Sequence, residues 1–221
     1  MVANQNSSDN IAESAGTVTK ISFQKKKTDR RSVFIDGEYA FSISEQTYQL
    51  FPLHVNQQLT DNQISVIKSH EEYEKARELA LRYISIRMRS EYELTTYLRK
   101  KECNSQVIKR VVQYCHEREY LNDTQYAEML TRDMVNINRY GSKKMFAVLR
   151  KRGILSETIT QVLREQVDET EQINIAQELA IKKLKTINDQ SKAREKLYRY
   201  LKQRGFKYSI IAEVVKRLLN Y

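Results

Sequence analysis

The feature of this sequence that most restricts its fold is an internal repeat. Three segments align without gaps around Leu98, Leu149 and Leu201, and they recur at intervals of about 50 residues. Neighbouring positions match as well: Leu94, Met145 and Leu197; Cys103, Ile154 and Phe206; Ile108, Ile159 and Ile211. A repeat of this length indicates stacked units, none of which can bury its apolar face alone.

The pattern inside each repeat predicts helices. Apolar residues four positions apart, such as Leu94 and Leu98, place one buried face on a helix. Gly153 and Gly205 follow that helix, where a left-handed residue ends it at little cost, and Glu102 takes this place in the first repeat. A further helix is predicted before each of these segments, at 73–88, 123–138 and 173–187, so each repeat contains about three helices.

The region before the repeats has a different pattern. β-Branched residues alternate from Thr17 onward, and Asp36-Gly37 between two apolar runs indicates a tight hairpin turn. We expect a small antiparallel sheet of about three strands, which must pack on the helices that follow. Ser44 and Thr60 are predicted to cap short helices at 45–50 and 61–69.

The predicted protein is therefore mainly α-helical, with tandem three-helix repeats that form an elongated, curved array and a small N-terminal antiparallel β-sheet. Residues 1–16, rich in Asn, Ser and Ala, are expected to form a disordered tail. The β-hairpin region with its short helices is assigned to 17–70. The three repeats are assigned to 71–121, 122–171 and 172–221.

The chain is strongly basic. It carries 38 Lys and Arg against 28 Asp and Glu, for a formal charge of +10, which points to an acidic partner such as nucleic acid or an acidic protein surface. Basic clusters recur at one end of the repeated helix and would form a regularly spaced row of charge, which suits a partner with regularly spaced acidic groups. Cations at a helix C-terminus also stabilise the helix dipole, so a structural role is the alternative. The candidate binding residues are Lys25, Lys26, Lys27, Arg30, Arg31, Arg87, Arg89, Arg99, Lys100, Lys101, Lys143, Lys144, Arg150, Lys151, Arg152, Lys202 and Arg204.

Catalytic and metal-binding patterns do not emerge from the sequence. His54, His70 and His116 lie in unrelated segments, and Cys103 and Cys115 are predicted to be buried thiols in a reducing compartment. We expect no catalytic residues, no metal and no cofactor. No apolar run is long enough to span a membrane and the N-terminus has no signal-peptide pattern, so a cytoplasmic monomer that does not bind membranes is predicted.

Two stretches of the helical region resemble the RecX family. They are Arg-Ser-Glu-Tyr-Glu-Leu at 89–94 and Tyr-Leu-Asn-Asp-Thr-Gln-Tyr-Ala at 120–127, and Gly-Ser-Lys-Lys at 141–144 is similar to the family's second repeat. The resemblance covers residue 72 to the C-terminus and departs from the family pattern at Glu102 and Asn122. It implies a regulator that lies in the groove of the filament of RecA recombinase on single-stranded DNA. Such a regulator usually inhibits RecA, with consequences for recombination, DNA repair and SOS control, and it binds DNA weakly, double-stranded DNA included.

Three hypotheses follow for function. The first is a RecA modulator that changes ATPase activity, strand exchange and filament growth through protein and DNA contacts. The second is a nucleic-acid-binding protein without sequence preference that acts without RecA, with affinity that falls steeply as salt rises. The third is a structural helical scaffold, whose partner binding would survive charge reversal at Arg150, Lys151 and Arg152.

Overall fold

The N-terminal part of the chain forms a small antiparallel sheet. The computed structural model describes residues 14–24 and 29–219. Strands β1 (Ser14–Phe23), β2 (Arg30–Ile35), β3 (Glu38–Ser44) and β4 (Gln58–Thr60) are ordered β3-β2-β1-β4. The predicted hairpin turn is confirmed, because Asp36 and Gly37 have φ values of 50° and 89°. The predicted small antiparallel sheet is confirmed, with one strand more than the expected three or so, since the short β4 also pairs with β1, with Thr17 opposite Gln58.

Helices follow the sheet and continue along the chain. They are α1 (Glu45–Leu50), α2 (Asp61–Ile84), α3 (Glu91–Lys100), α4 (Ser105–Glu117), α5 (Asp123–Asn136), α6 (Ser142–Lys151), α7 (Ser156–Gln166), α8 (Glu169–Leu184), α9 (Ala193–Arg204) and α10 (Tyr208–Leu219). A single 3₁₀ turn, Gln190–Lys192, precedes α9. The three-helix repeats are confirmed as α2–α4, α5–α7 and α8–α10, whereas the elongated form of the array stays a prediction.

Several predicted boundaries differ from the structure. The two helices expected at 61–69 and 73–88 are one helix, α2, because residues 70–72 contain no Gly or Pro to interrupt it. Helix α8 begins before residue 173, since the Asp168 side chain caps it by accepting a hydrogen bond of 2.7 Å from the Glu171 amide. The boundaries at 70/71 and 171/172 therefore lie inside helices. Strand β1 begins at Ser14, within the predicted tail, and residues 1–13 lie outside the described residues.

The chain divides into two compact units. The first comprises Met1–Leu81 and Glu102–Val111, and the second comprises Arg82–Lys101 and Val112–Tyr221. The core of the first unit includes Val18, Val33, Phe41, Ile43, Leu53, Leu59 and Ile67. The core of the second unit includes Tyr126, Met145, Leu149, Ile154, Leu197, Leu201 and Phe206. The aligned residues of the second and third repeats are therefore core residues, as their spacing predicted.

The predicted left-handed helix ends are confirmed. Gly153 and Gly205 have φ values of 85° and 89°, and Glu102 adopts the same conformation in the first repeat, with φ of 60°. The residue after each glycine folds back onto its helix. The Ile154 amide donates to the Leu149 carbonyl at 3.2 Å, which satisfies an otherwise unpaired carbonyl at the helix end.

Replacement of Glu102 by glycine is expected to raise the free energy of unfolding by about 0.5–1 kcal/mol, because a side chain at positive φ is strained and glycine is not. Urea denaturation followed by circular dichroism measures this change. The matched control is Glu128→Gly in the middle of α5, which should lower the free energy of unfolding by about 1 kcal/mol. A loss of stability in Glu102→Gly would contradict the assignment of strain at this helix end.

Candidate nucleic-acid and protein interface

The predicted basic clusters lie at the C-terminal ends of three equivalent helices. We name them the first tip (Arg99, Lys100 and Lys101, on α3), the second tip (Arg150, Lys151 and Arg152, on α6) and the third tip (Lys202 and Arg204, on α9). Cations at these ends complement the negative end of the helix dipole. The tips therefore have a structural role that does not by itself exclude a role in binding.

The second and third tips are joined to the start of an earlier helix. The Ser90 side chain, at the start of α3, donates a hydrogen bond of 2.6 Å to the carbonyl of Arg152. The Gly141 amide, at the start of α6, donates one of 2.9 Å to the carbonyl of Arg204. We call these contacts the first joint and the second joint. In both, a donor at the start of one helix satisfies a carbonyl that the end of another leaves unpaired.

A partly buried carboxylate organises the first joint. Glu93 accepts hydrogen bonds from Arg87 at 2.9 Å and from the Tyr126 hydroxyl at 2.8 Å, and it forms an ion pair with Arg152. It also completes a capping box with Ser90, in which each side chain accepts from the other residue's amide. Arg87 and Arg152 were predicted as binding residues, but the structure uses both guanidinium groups to hold Glu93.

The environment of Glu93 changes its acidity. Burial favours the neutral acid and would raise the pKa, but hydrogen bonds from Arg87, Tyr126 and other donors outweigh burial. The pKa of Glu93 is therefore lowered from 4.5 to about 2. Because the folded-state pKa is depressed, this carboxylate stabilises the fold above pH 4.5, and its contribution is lost as the pH falls toward 2.

Glu93→Gln is expected to lower the free energy of unfolding at pH 7 by about 2–3 kcal/mol, since two arginines lose their shared carboxylate. In the native protein, the contribution of the Glu93 carboxylate to the free energy of unfolding should fall by about 1 kcal/mol between pH 7 and pH 4. The variant should lack that part of the pH dependence. Denaturation at both pH values, with the exposed Glu157→Gln as control, measures the difference. Equal pH dependence in the native protein and Glu93→Gln would contradict the role assigned to Glu93.

The second joint uses carbonyl groups in place of a carboxylate. The Arg204 guanidinium donates to the carbonyls of Asn138 and Arg139, the latter at 3.2 Å, and lies 5.1 Å from the centre of the Tyr140 ring. The Lys144 ammonium lies 4.3 Å from the same ring centre. These two predicted binding residues therefore pack on Tyr140, and Arg204 holds the turn before α6.

The predicted basic loop is only partly described. Arg30 forms an ion pair of 2.6 Å with the buried Glu71, and Arg31 pairs with Glu45 at 2.8 Å and stacks 3.7 Å from the Tyr48 ring centre. Burial would raise the pKa of Glu71, but hydrogen bonds from neighbouring groups, Arg30 among them, lower it overall. Both arginines thus stabilise the first unit. The remaining predicted residues of this loop, Lys25, Lys26 and Lys27, lie outside the described residues.

Two further predicted binding residues pack on a tyrosine pair. The rings of Tyr83 and Tyr97 are stacked, with centres 4.0 Å apart and planes within 3°. Arg89 lies 4.0 Å from the Tyr83 ring centre, and Lys101 lies 5.8 Å from that of Tyr97. Cation–π contacts therefore stabilise the packing of the Tyr83–Tyr97 pair, and Arg89 is half-buried in this cluster.

The other predicted binding residues remain exposed on the second unit. They are Arg99, Lys100, Lys143, Arg150, Lys151 and Lys202. Within residues 14–24 and 29–219 no ion pair involves any of these six side chains. Unpaired, solvated cations are available to an acidic partner at little desolvation cost, because no existing pair must break. Among the predicted binding residues that the structure describes, these six are the ones that neither form an ion pair nor pack on an aromatic ring.

The joints were not predicted, although one signal for the first joint was present. Ser90 followed three residues later by Glu93 is the sequence pattern of a capping box, which marks the start of α3. Sequence alone could not show that Arg152 completes the contact. At the next repeat, Asn122 caps α5, with its side chain accepting from the Gln125 amide at 3.0 Å.

The surroundings of one cysteine and one histidine are well defined in the described chain. Burial raises the pKa of Cys115 to about 11, so its nucleophilic thiolate form is disfavoured at neutral pH. The exposed His116 pairs with Glu91 at 2.9 Å. In residues 14–24 and 29–219, no group of three or more His, Cys, Asp or Glu side chains could hold a metal ion. None of the described helices combines the length and the apolarity that crossing a membrane requires.

Comparison with known protein families gives four matches along the chain. The RecX N-terminal domain matches residues 16–60, and the first, second and third three-helix domains of RecX match 76–115, 122–163 and 169–215. The three-helix matches fall on the repeats seen in the structure. The sheet region and all three repeats are therefore covered.

Individual relatives agree with these matches. Regulatory protein RecX of Clostridium acetobutylicum is 32% identical over 92% of this chain and 97% of its own. Regulatory protein RecX of Listeria monocytogenes is also 32% identical, over 86% of this chain and 71% of its own. A crystal structure of regulatory protein RecX superimposes with a TM-score of 0.72 at 25% identity, covering 90% of this chain and 98% of that one. RecX from Lactobacillus salivarius, at 24% identity and a TM-score of 0.63, shares the fold over 69% of this chain and 99% of its own.

Proposed function

The chain belongs to the RecX family, and from that premise we propose that it regulates RecA by binding the RecA–single-stranded DNA filament. In this proposal, binding slows ATP hydrolysis, strand exchange and filament growth. The observation that carries the proposal is the match of all three helical repeats and the sheet region to RecX domains. That partner would place the chain in the cytoplasm.

The exposed cations support binding to an acidic surface. Arg99, Lys100, Arg150 and Lys151 occupy equivalent positions in two repeats and have no ion-pair partners in the described chain. A repeated set of cations matches a partner whose acidic groups also repeat, as DNA phosphates and the subunits of a filament do. Each contact can be weak, because contacts made by linked repeats act together.

The proposed mechanism needs no chemical step by the chain itself. A protein that bridges neighbouring subunits stabilises one arrangement of the filament relative to others, in proportion to its difference in affinity for them. If the bridged arrangement hydrolyses ATP slowly or cannot add subunits, binding inhibits both processes. We therefore assign the chain no catalytic residue and expect it to act as a monomer along the filament.

Titration of the DNA-dependent ATPase of RecA tests the proposal. We expect the rate on single-stranded DNA to fall at well below one molecule of this chain per RecA, in moderate salt. An unchanged rate with the chain in excess would contradict regulation of RecA. A rise in the rate would keep the partner but reverse the direction that we propose.

A second candidate function is binding to nucleic acid without sequence preference and without RecA. The same six exposed cations favour it, since solvated lysines and arginines are the usual contacts to phosphates. Its signature is tight binding to bare DNA that weakens by orders of magnitude between about 50 and 200 mM salt. The RecA proposal instead expects weak binding to bare single-stranded and double-stranded DNA at the higher salt.

A further inference from the structure

The first and second repeats have diverged at most positions between 86–112 and 137–163, so their few identities are informative. The identical pairs are Ile86/Ile137, Leu98/Leu149, Arg99/Arg150, Lys100/Lys151, Ser105/Ser156, Ile108/Ile159 and Val111/Val162. An identity that burial or helix geometry does not require indicates a shared function.

Packing explains three of the seven identities. Both members are buried in the pairs Leu98/Leu149, Ile108/Ile159 and Val111/Val162. Ser105 and Ser156 are the first residues of α4 and α7. The arginine and lysine pairs belong to the basic tips and are exposed, as contacts to an acidic partner require. One identity then remains that neither burial nor helix geometry explains, and it is Ile86/Ile137.

Both isoleucines are exposed to the same degree. Ile86 and Ile137 are each 74% exposed, and each lies in the turn between the first and second helices of its repeat. A single exposed apolar residue is ordinary on a protein surface. Two at equivalent positions, in segments that otherwise differ, indicate a shared use. The corresponding turn of the third repeat carries Asn188 and Asp189 instead.

Each isoleucine directly precedes a residue that takes part in a joint. Ile86 is followed by Arg87, which shares Glu93 with Arg152 of the second tip. Ile137 is followed by Asn138, whose carbonyl accepts a hydrogen bond from Arg204 of the third tip. At each joint, the earlier repeat contributes an exposed isoleucine that precedes a residue of the joint, and the next repeat contributes the helix end that carries its basic tip, entirely within the second unit.

We propose that the two joints are equivalent docking elements for two successive subunits of a repeating protein assembly. Each element presents an isoleucine to an apolar pocket and its basic tip to carboxylates that border that pocket. The inference rests on the proposed function, in which that assembly is the RecA filament. The exposed cations are Arg150 and Lys151 at the first joint and Lys202 at the second joint.

The isoleucines favour a protein over nucleic acid at these elements. Proteins that bind single-stranded DNA place aromatic rings against the bases, because stacking needs a π face, and isoleucine has none. An aliphatic side chain gains affinity by filling an apolar pocket, and charged groups around it select the partner and speed association. The combination at each joint fits an apolar site with an acidic rim.

The test uses Ile86→Ser, Ile137→Ser and the double variant in the full chain, with Leu155→Ser as control. Leu155 is 66% exposed but has Asn104 at the equivalent position of the first repeat. Two quantities are measured: the concentration that gives half of the effect on RecA's ATPase, and the affinity for bare single-stranded DNA. We expect each single variant to raise the half-effect concentration in the ATPase assay by about fivefold or more. The double variant should raise the same concentration by about 25-fold or more. Leu155→Ser should change it less than twofold, and affinity for bare DNA should stay within twofold in every variant.

Each alternative result overturns the inference in a distinguishable way. Unchanged ATPase curves for the double variant, beside an active native chain, would overturn the docking elements and leave the proposed function intact. Equal losses of ATPase effect and DNA affinity would assign the isoleucines to nucleic acid instead. A native chain without effect on RecA would overturn the proposed function together with this inference. Because both positions are exposed, each variant should unfold at the same temperature as the native chain. Thermal unfolding checks this and so excludes misfolding as the cause of any loss.

Discussion

Reversing the charge at Arg150 and Lys151 is expected to weaken binding to the RecA–single-stranded DNA filament by about 30- to 100-fold, or about 2–3 kcal/mol. These side chains are exposed and have no ion-pair partner within residues 14–24 and 29–219, so Arg150→Glu with Lys151→Glu removes two attractions and introduces two repulsions. Arg152 is left in place, because its reversal would break the ion pair with Glu93 and confuse folding with binding. Equilibrium titration of labelled filament, in moderate salt, measures the change.

The matched control is the double variant Lys182→Glu with Lys185→Glu. These lysines are exposed and lie at the C-terminal end of α8, so the change in net charge and in the helix-dipole contribution is the same. We expect less than a threefold loss of filament binding. Similar losses from the two double variants would show that net charge governs binding and that the second tip has no particular role.

The largest expected effect on stability comes from Gly205→Ala, which should lower the free energy of unfolding by about 3 kcal/mol or more. Gly205 has φ of 89°, and an added Cβ would lie 2.3 Å from Lys144 Cβ and 2.4 Å from the Lys144 backbone nitrogen. The backbone at the start of α6 must then move, and the second joint with it. Urea denaturation measures the loss.

Gly37→Ala separates backbone strain from packing at the joint. Gly37 has the same φ of 89°, but nothing lies within 4 Å of the position of an added Cβ. That variant should lose only about 1 kcal/mol, from strain alone. If the two variants were equally destabilised, close packing between α9 and α6 would not account for the glycine at position 205.

Local signals predicted much of the fold. Spacing around Leu149 and Leu201 identified the repeated helix, and the glycine after each helix identified its left-handed end, because both depend on neighbouring residues alone. The turn at Asp36-Gly37 was predicted for the same reason. Strand β4 was not, since three residues are too few to show an alternating pattern.

The candidate interface was harder to predict, because charge alone does not show which cations are already paired. Arg152 meets Glu93 across 59 positions of sequence, and Arg204 meets the Asn138 carbonyl across 66. No local pattern links residues so far apart. Sequence reasoning therefore counted these arginines as free for a partner, while the fold uses them to join one repeat to the next. Lys151, one position from Arg152, remains exposed.

Direct comparison of three binding partners tests the central claim most simply. Labelled chain is titrated with RecA filament assembled on single-stranded DNA with a slowly hydrolysed ATP analogue, with bare single-stranded DNA, and with free RecA, all at one moderate salt concentration. We predict that the filament binds at least about tenfold more tightly than either component, because only the filament presents repeated protein and phosphate surfaces together. Binding to bare DNA as tight as binding to the filament would contradict the account.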